Sequence, residues 1–208
     1  LPNGESQKIS KFLLKKNTLI DLSADFRLKK ASDFLKWYKI KHKAKKMIND
    51  SIYALPEIKK NKIKNKKIIS CPGCYPTSIL LPLIPLIKKK VISNKNIIID
   101  SKSGYSGAGR SVHKKYKNKN LYESLSSYGI AIHRHNSEIQ QELDLISNKK
   151  INFQFTPHLT PMFRGILSTI YIDKKKDVTI NKINKILKNY YKKDLFVNVV
   201  EPDTLLST

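Results

Sequence analysis

The chain has 208 residues, enough to bury a sizeable core as one large domain or two small ones. Its formal charge of +25 comes from 41 basic against 16 acidic residues, a balance that ordinarily points to nucleic acid or an anionic membrane. Only Arg27, Arg110, Arg134 and Arg164 are arginines, and the lysines scatter among Asn and Ile. The charge therefore reads as solvated surface, without the arginine forks and interleaved aromatics of a nucleic-acid module.

No apolar run reaches the roughly 18 residues of a membrane span, since Pro82 and Pro85 break the longest, 78–87. The opening residues show no basic-then-apolar pattern, so no export leader is expected. Two closely spaced cysteines make no disulfide framework, so a reducing, cytoplasmic setting is expected.

In chain order, residues 5–16 predict an amphipathic helix and 17–23 a buried strand, with a loop over 24–28. A helical stretch is expected over 31–48, a turn over 53–58 and a short strand over 66–70. A helix begins after Cys74, with Pro76 in its first turn. Residues 96–103 form the clearest strand and run into a glycine-rich loop ending at Arg110. Next come a helix over 136–146, with Ser137 and Gln140 in capping-box spacing, and strands over 151–157 and 165–173. A helix over 179–193 and a strand over 195–200 complete the pattern. Strands alternate with helices early and meet one another later, which predicts the tail of a parallel α/β unit followed by an α+β domain.

Cys71 and Cys74, in Cys-Pro-Gly-Cys, admit four readings. A zinc site would need a second ligand pair, which His133 and His135 could supply. The spacing also suits a thioredoxin-like couple, and a plain buried pair is the third reading. In the fourth, Cys74 is a single nucleophile at a helix start. Unpaired amides and the helix dipole would there favour its thiolate below the free value of roughly 8.5. Gly73 would let substrate approach the backbone, and Cys71 would be a bystander.

A thiolate needs a proton-handling partner and an anion cradle. The loop 101–110 offers three glycines and the Arg110 fork for the cradle. Residues 128–143 place His133, Arg134 and His135 before a helix start. Alternation puts both histidines on one side, and Glu138 is spaced to orient His135. His158 and Arg164 lie in the stretch 155–165.

The stretches LPNG (1–4), DLSADFRL (21–28), YALPE (53–57), PGCYPT (72–77), DSKSGYSGAGR (100–110), HRHNSEIQQEL (133–143), FTPHLTPMFRGIL (155–167) and LLST (205–208) resemble, in order and across the whole chain, the N-acetyl-gamma-glutamyl-phosphate reductase family. The resemblance implies a glyceraldehyde-3-phosphate dehydrogenase-like fold. Residues 1–73 would be part of a Rossmann-type NADP-binding domain, and 74–208 an incomplete α+β catalytic and dimerisation domain. It also implies the family's reaction in arginine biosynthesis, the NADPH-dependent reduction of N-acetyl-glutamyl 5-phosphate to the semialdehyde with release of phosphate.

By the same resemblance Cys74 forms the thioester and His135 is the acid/base, with His133 and Glu138 in support. Arg27, Arg110, Ser103, Tyr128, His158 and Arg164 would hold substrate, and Pro2, Gly4, Ser23, Gly104 and Gly107 the NADP. A homodimer or tetramer is implied, with no metal, nucleic acid or membrane partner.

The chain departs from the family in lacking the glycine-rich dinucleotide turn, which lies upstream of LPxG in relatives. It is thus expected to be a piece lacking most of the cofactor domain and the C-terminal end, binding NADP poorly alone. Cys71 stands where asparagine is common in the family, and Asn3 replaces a common histidine. A related reductase of lysine biosynthesis, an aspartate-semialdehyde dehydrogenase-like enzyme and a basic nucleic-acid-binding protein are the alternatives.

Overall fold

The computed structural model describes residues 1–107 and 123–208. Two sheets organise them. The first comprises β1 (Leu19–Asp21), β2 (Ser51–Tyr53) and β3 (Ile68–Ser70), all parallel, in the order β1-β3-β2. Parallel neighbours need crossover connections, here supplied by α2 (Ala31–Tyr38) and α3 (Pro56–Ile63), while α1 (Glu5–Leu13) precedes β1.

The helix expected over 31–48 stops at Lys39, whose φ of 58° is left-handed, and only a 3-10 turn follows at Lys45–Asp50. The intervening chain buries His42, whose ring packs edge-on against Phe26 and Phe34 and bonds to the Asp25 carbonyl at 2.8 Å. A continuing helix would carry His42 away from that pocket. The stretch expected to be a turn instead opens with the end of β2 and continues into α3, with Pro56 in the first turn. α3 buries no residue, so it has no apolar stripe for periodicity to detect.

The second sheet is mixed, ordered β5-β6-β4-β7. β4 (Ile97–Gly104) runs parallel to β6 (Phe153–Thr160) and antiparallel to β7 (Ile166–Tyr171), and the two-residue β5 (Ser126–Ser127) edges β6. α4 (Cys74–Lys88), α5 (His135–Ser147) and α6 (Ile180–Tyr191) pack on one side of this sheet. The core between them includes the fully buried Ile79, Leu80, Leu83, Ile97, Ile99 and Leu143, each worth about 1.5–3 kcal/mol of apolar burial. Alternation turns Ile97, Ile99, Ser101 and Ser103 inward and leaves Ile98, Asp100 and Lys102 on the outer face.

Two local expectations fail. The run 195–200 forms no strand among the described residues: Leu195 and Phe196 are 94% and 92% exposed, and no neighbouring strand pairs with them. Nor does Ser137 cap α5. Its Oγ donates to the Arg134 carbonyl at 2.7 Å, while Gln140 donates to Asp144 and to the Ile151 carbonyl. Among the described residues no helix is long and apolar enough to cross a membrane.

Candidate active site

The site grows from the chain leaving β3. The Cys71 N–H donates to the Asp21 carbonyl, and Arg27 Nε donates to the Cys71 carbonyl, both at 2.8 Å. The Gly73 N–H donates to Glu138 Oε2 at 3.0 Å. Gly73 then caps α4 with extended backbone, and its carbonyl accepts from both Thr77 N–H and Thr77 Oγ1. Cys74 is thereby fixed as the first residue of α4. A methyl at Gly73 would lie 2.4 Å from His135 Nε2. The imidazole thus packs directly on the backbone preceding Cys74, an approach only glycine permits.

Cys74, Arg27, Tyr128, His133, Arg134 and His135 line a cleft of about 490 Å³, with Ser23, Ser103 and Gly107 on its wall. Cys74 and both histidines thus line one cleft. A larger cavity of about 750 Å³, over α2 and α5, contains neither cysteine nor either of these histidines. Both cysteines are free thiols. Among the described residues no group of three His, Cys, Asp or Glu side chains is placed to hold a metal ion.

The two imidazoles lie 4.7 Å apart, and Tyr75, Tyr128 and Phe155 surround His133 edge-on. The His135 N–H donates to His133 Nδ1 at 3.2 Å, which leaves the proton of neutral His133 on Nε2. Desolvation pushes His135 down to about 3, aided by the charges of Arg27 and Arg134. Burial likewise takes His133 to about 4, aided by His135 and Arg134. Both rings are neutral at physiological pH, the form in which an imidazole can accept a proton.

Glu138 is completely buried. Its carboxylate accepts from Arg27 Nη1 at 3.0 Å, from the Tyr53 hydroxyl at 2.9 Å and from the Gly73 N–H. It approaches His135 Nε2 only to 3.8 Å, beyond hydrogen-bond reach. Instead of orienting His135 through a hydrogen bond, Glu138 pins the turn that presents Cys74. Arg27 reaches the cleft, but Glu138, the Cys71 carbonyl and the Leu22 carbonyl engage all three of its nitrogens.

The Cys74 thiol is displaced upward, opposite to the shift expected from its helix position. Desolvation by the cleft walls is the largest cause, and Glu138 adds to it. The N–H groups of Tyr75 and of Cys74 itself, with the Arg27 charge, pull downward and only partly compensate. Burial also raises Cys71.

Ser103 accepts from the Tyr75 hydroxyl at 2.7 Å, and Tyr75 meets the Tyr128 hydroxyl at 2.9 Å, which links two expected substrate residues to the cysteine's own helix. Ser23 bonds to Asp21, and Gly107 opens the rim. Pro2 and Gly4 shape the start of α1, where Gly4, at φ 93°, donates to Asp25. Their neighbours Leu1 and Asn3 reach the cleft, whereas Pro2 and Gly4 do not. Gly104 packs against the backbone of Phe163 and Arg164, where a methyl would fall 2.6 Å from the Phe163 carbonyl.

Two expected substrate residues are not in the cleft. Alternation along β6 places the His158 side chain on the outer face, 2.9 Å from Asp100, so only its backbone carbonyl meets Ser103. Arg164 lies over the Phe163 ring, outside the cleft lining. Arg110 falls outside the described residues. Sequence reasoning left Arg134 without a role, yet it lines the cleft and stacks over Tyr38 at 5.2 Å. Its place between the two histidines was the available signal.

Residues 74–208 match the family model described as semialdehyde dehydrogenase, dimerisation domain. The chain is 44% identical over 201 residues to N-acetyl-gamma-glutamyl-phosphate reductase of Desulforamulus reducens, covering 96% of this chain and 58% of the relative. It is 43% identical over 201 residues to the probable chloroplastic enzyme of that name from Arabidopsis thaliana, covering 97% and 50%. The chain thus spans little more than half the length of these relatives. Among solved structures, aspartate semialdehyde dehydrogenase II from Vibrio cholerae superposes with a TM-score of 0.65 at 17% identity, covering 90% of this chain and 58% of that one. The Candida albicans aspartate semialdehyde dehydrogenase with NADP superposes at 0.56 and 15% identity, covering 89% and 52%. These two show a shared fold.

Proposed function

The chain belongs to the semialdehyde dehydrogenase family, and from that premise we propose that the protein reduces N-acetyl-glutamyl 5-phosphate to N-acetyl-glutamate 5-semialdehyde in arginine biosynthesis. The observation that carries this reading is Cys74 at the first residue of α4, with His135 packed on Gly73 beside it. The choice of substrate is supported by the reductase relatives, 43–44% identical.

Desolvation by the cleft walls keeps the Cys74 thiol protonated, and we assign His135, packed on the adjoining Gly73, to take its proton as the sulfur attacks the acyl carbon. The bond from that carbon to the phosphate oxygen then breaks. Phosphate leaves with the electron pair and a thioester remains on Cys74. NADPH, when bound, supplies the hydride that reduces this thioester. The proton held at His135 serves the resulting hemithioacetal oxygen. On collapse the C–S bond breaks, the hydroxyl proton returns through His135 to the sulfur, and the carbonyl re-forms as the aldehyde leaves a Cys74 thiol. The Tyr75–Tyr128–Ser103 hydroxyl chain holds the wall of the cleft in one arrangement.

Of the five residues expected to hold NADP, two line the cleft. Ser23 and Gly107 lie on the cleft wall, and a methyl added at Gly107 would meet nothing within 4 Å. The sequence contains no G-x-G-x-x-G turn for a pyrophosphate. We assign residues 1–73 to the cofactor domain and 74–208 to the catalytic and dimerisation domain. A homo-oligomer accords with the outer face of the second sheet, where Ile98 and Tyr171 are 47% and 58% exposed. Free thiols accord with a cytoplasmic setting.

The test is phosphate-dependent oxidation of N-acetyl-glutamate 5-semialdehyde by the intact protein, followed as NADP reduction. Turnover that ignores phosphate, or that prefers aspartate semialdehyde, would overturn the assignment.

A further inference from the structure

We infer that Arg134 holds the carboxylate end of the substrate, the end remote from the acyl carbon that Cys74 attacks. The inference rests on the reading above, because it takes the substrate to be an N-acylated amino acid activated on its side chain. Such a molecule carries two anionic groups, a phosphate at the reacting end of the side chain and the α-carboxylate beyond the side-chain methylenes.

Two arginines line the cleft, and the described residues lining it include no carboxylate. They are not equivalent. The Arg27 charge is matched by the buried Glu138, and its other nitrogens bond to the Cys71 and Leu22 carbonyls. Arg134 is exposed, and among the described residues no Asp or Glu lies in ion-pair contact with it. Its guanidinium carbon lies over the Tyr38 ring, 5.2 Å from the centroid. A cation–π contact of this kind restrains the side chain while using none of its N–H groups, which suits bidentate contact with a carboxylate.

Position assigns the end of the substrate. Arg134 directly precedes His135 at the start of α5 and rests on Tyr38, the last residue of α2. Arg27 bonds to the Cys71 carbonyl, in the turn that presents Cys74, whereas Arg134 rests on Tyr38 at the far end of α2. A carboxylate separated from the acyl carbon by the glutamyl methylenes suits the guanidinium that is not bonded to the cysteine's turn.

The experiment uses the intact protein in the oxidative direction, with KM for semialdehyde and for phosphate measured separately. Arg134→Met is expected to raise the semialdehyde KM about tenfold to a hundredfold, the loss typical of a charged hydrogen-bond pair. The phosphate KM should be unchanged, and Arg134→Lys should fall between. Wild type should handle the analogue lacking the carboxylate as poorly as Arg134→Met handles the full substrate, and the variant should not distinguish the two. A rise in the phosphate KM instead, or no change in either, would overturn the inference. Should the wild type show no phosphate-dependent turnover, the functional reading fails separately. Arg134 is then judged by calorimetric titration with N-acetyl-glutamate, where equal affinity of wild type and Arg134→Met would overturn its role.

Discussion

The carboxylate of Glu138, on α5, accepts the backbone N–H of Gly73 at 3.0 Å. Through this bond a helix of the second sheet's layer sets the peptide immediately before the reactive cysteine. The same carboxylate holds Arg27 and Tyr53, both from the segment that builds the first sheet. One buried side chain thereby ties the two halves of the chain to the site.

Replacing Glu138 with alanine leaves the largely buried Arg27 guanidinium without its counter-charge and the Gly73 amide without an acceptor. Removing one partner of a buried pair costs about 3–5 kcal/mol, and urea denaturation should show a loss of that order. Glu138→Gln keeps an acceptor for Gly73 and should lose less stability. Equal stability of wild type and Glu138→Ala would refute the pinning role.

Gly73→Ala tests the approach of the imidazole. The Gly73 backbone, at φ −67° and ψ 159°, is open to any residue, so alanine brings no backbone strain. Its methyl would need the space of His135 Nε2, 2.4 Å away, and the ring must move. A displacement of about 1 Å at a reacting group costs about a hundredfold in rate. The expected result is that loss in kcat/KM with an unchanged circular dichroism spectrum. Full activity in this variant would show that His135 takes no part.

Cys74 is exposed, yet it is expected to alkylate more slowly at pH 7 than an unstructured cysteine, because desolvation by the cleft walls raises its thiol and only the thiolate reacts. The rate of iodoacetamide labelling should keep climbing with pH past the ordinary thiol range. Arg27→Gln removes a charge that lowers the Cys74 value and should slow labelling further. Cys74→Ser should abolish turnover, and Cys71→Ser should leave much of it. Labelling that levels off below pH 8 would contradict the direction of the shift.

The helices and long strands with a clear apolar period were legible in the sequence, as was the convergence of Cys74, His133 and His135. Other features depended on contacts that no local pattern encodes. α3 is lysine-rich and buries nothing. The helix after Ala31 ends because His42 is needed in a pocket formed by Phe26 and Phe34. His158 looked suited to the site by its motif, but strand alternation turns it to the outer face beside Asp100. Glu138 was legible as important and misread in role, since its main partners, Arg27, Tyr53 and Gly73, lie 65 to 111 residues away. Spacing alone suggested the neighbour at three residues.

The histidine pair makes stability depend on pH, with a definite sign. Burial takes His135 to about 3 and His133 to about 4, against about 6.5 in the unfolded chain. Between those values the unfolded state binds more protons than the folded one, so unfolding becomes easier as pH falls. The stabilisation is fully present above about pH 6.5. Below it each histidine contributes a slope of up to about 1.4 kcal/mol per pH unit, reduced where its ring reaches solvent, until its folded value is passed. Chemical denaturation between pH 7 and pH 4.5 should therefore show a steep fall in stability. His133→Leu, which fills the same cage of Tyr75, Tyr128 and Phe155 without a titrating group, should flatten the curve by about one histidine's share. The same slope in wild type and variant would mean that His133 stays accessible to protons in the folded protein, contrary to its enclosure by those rings.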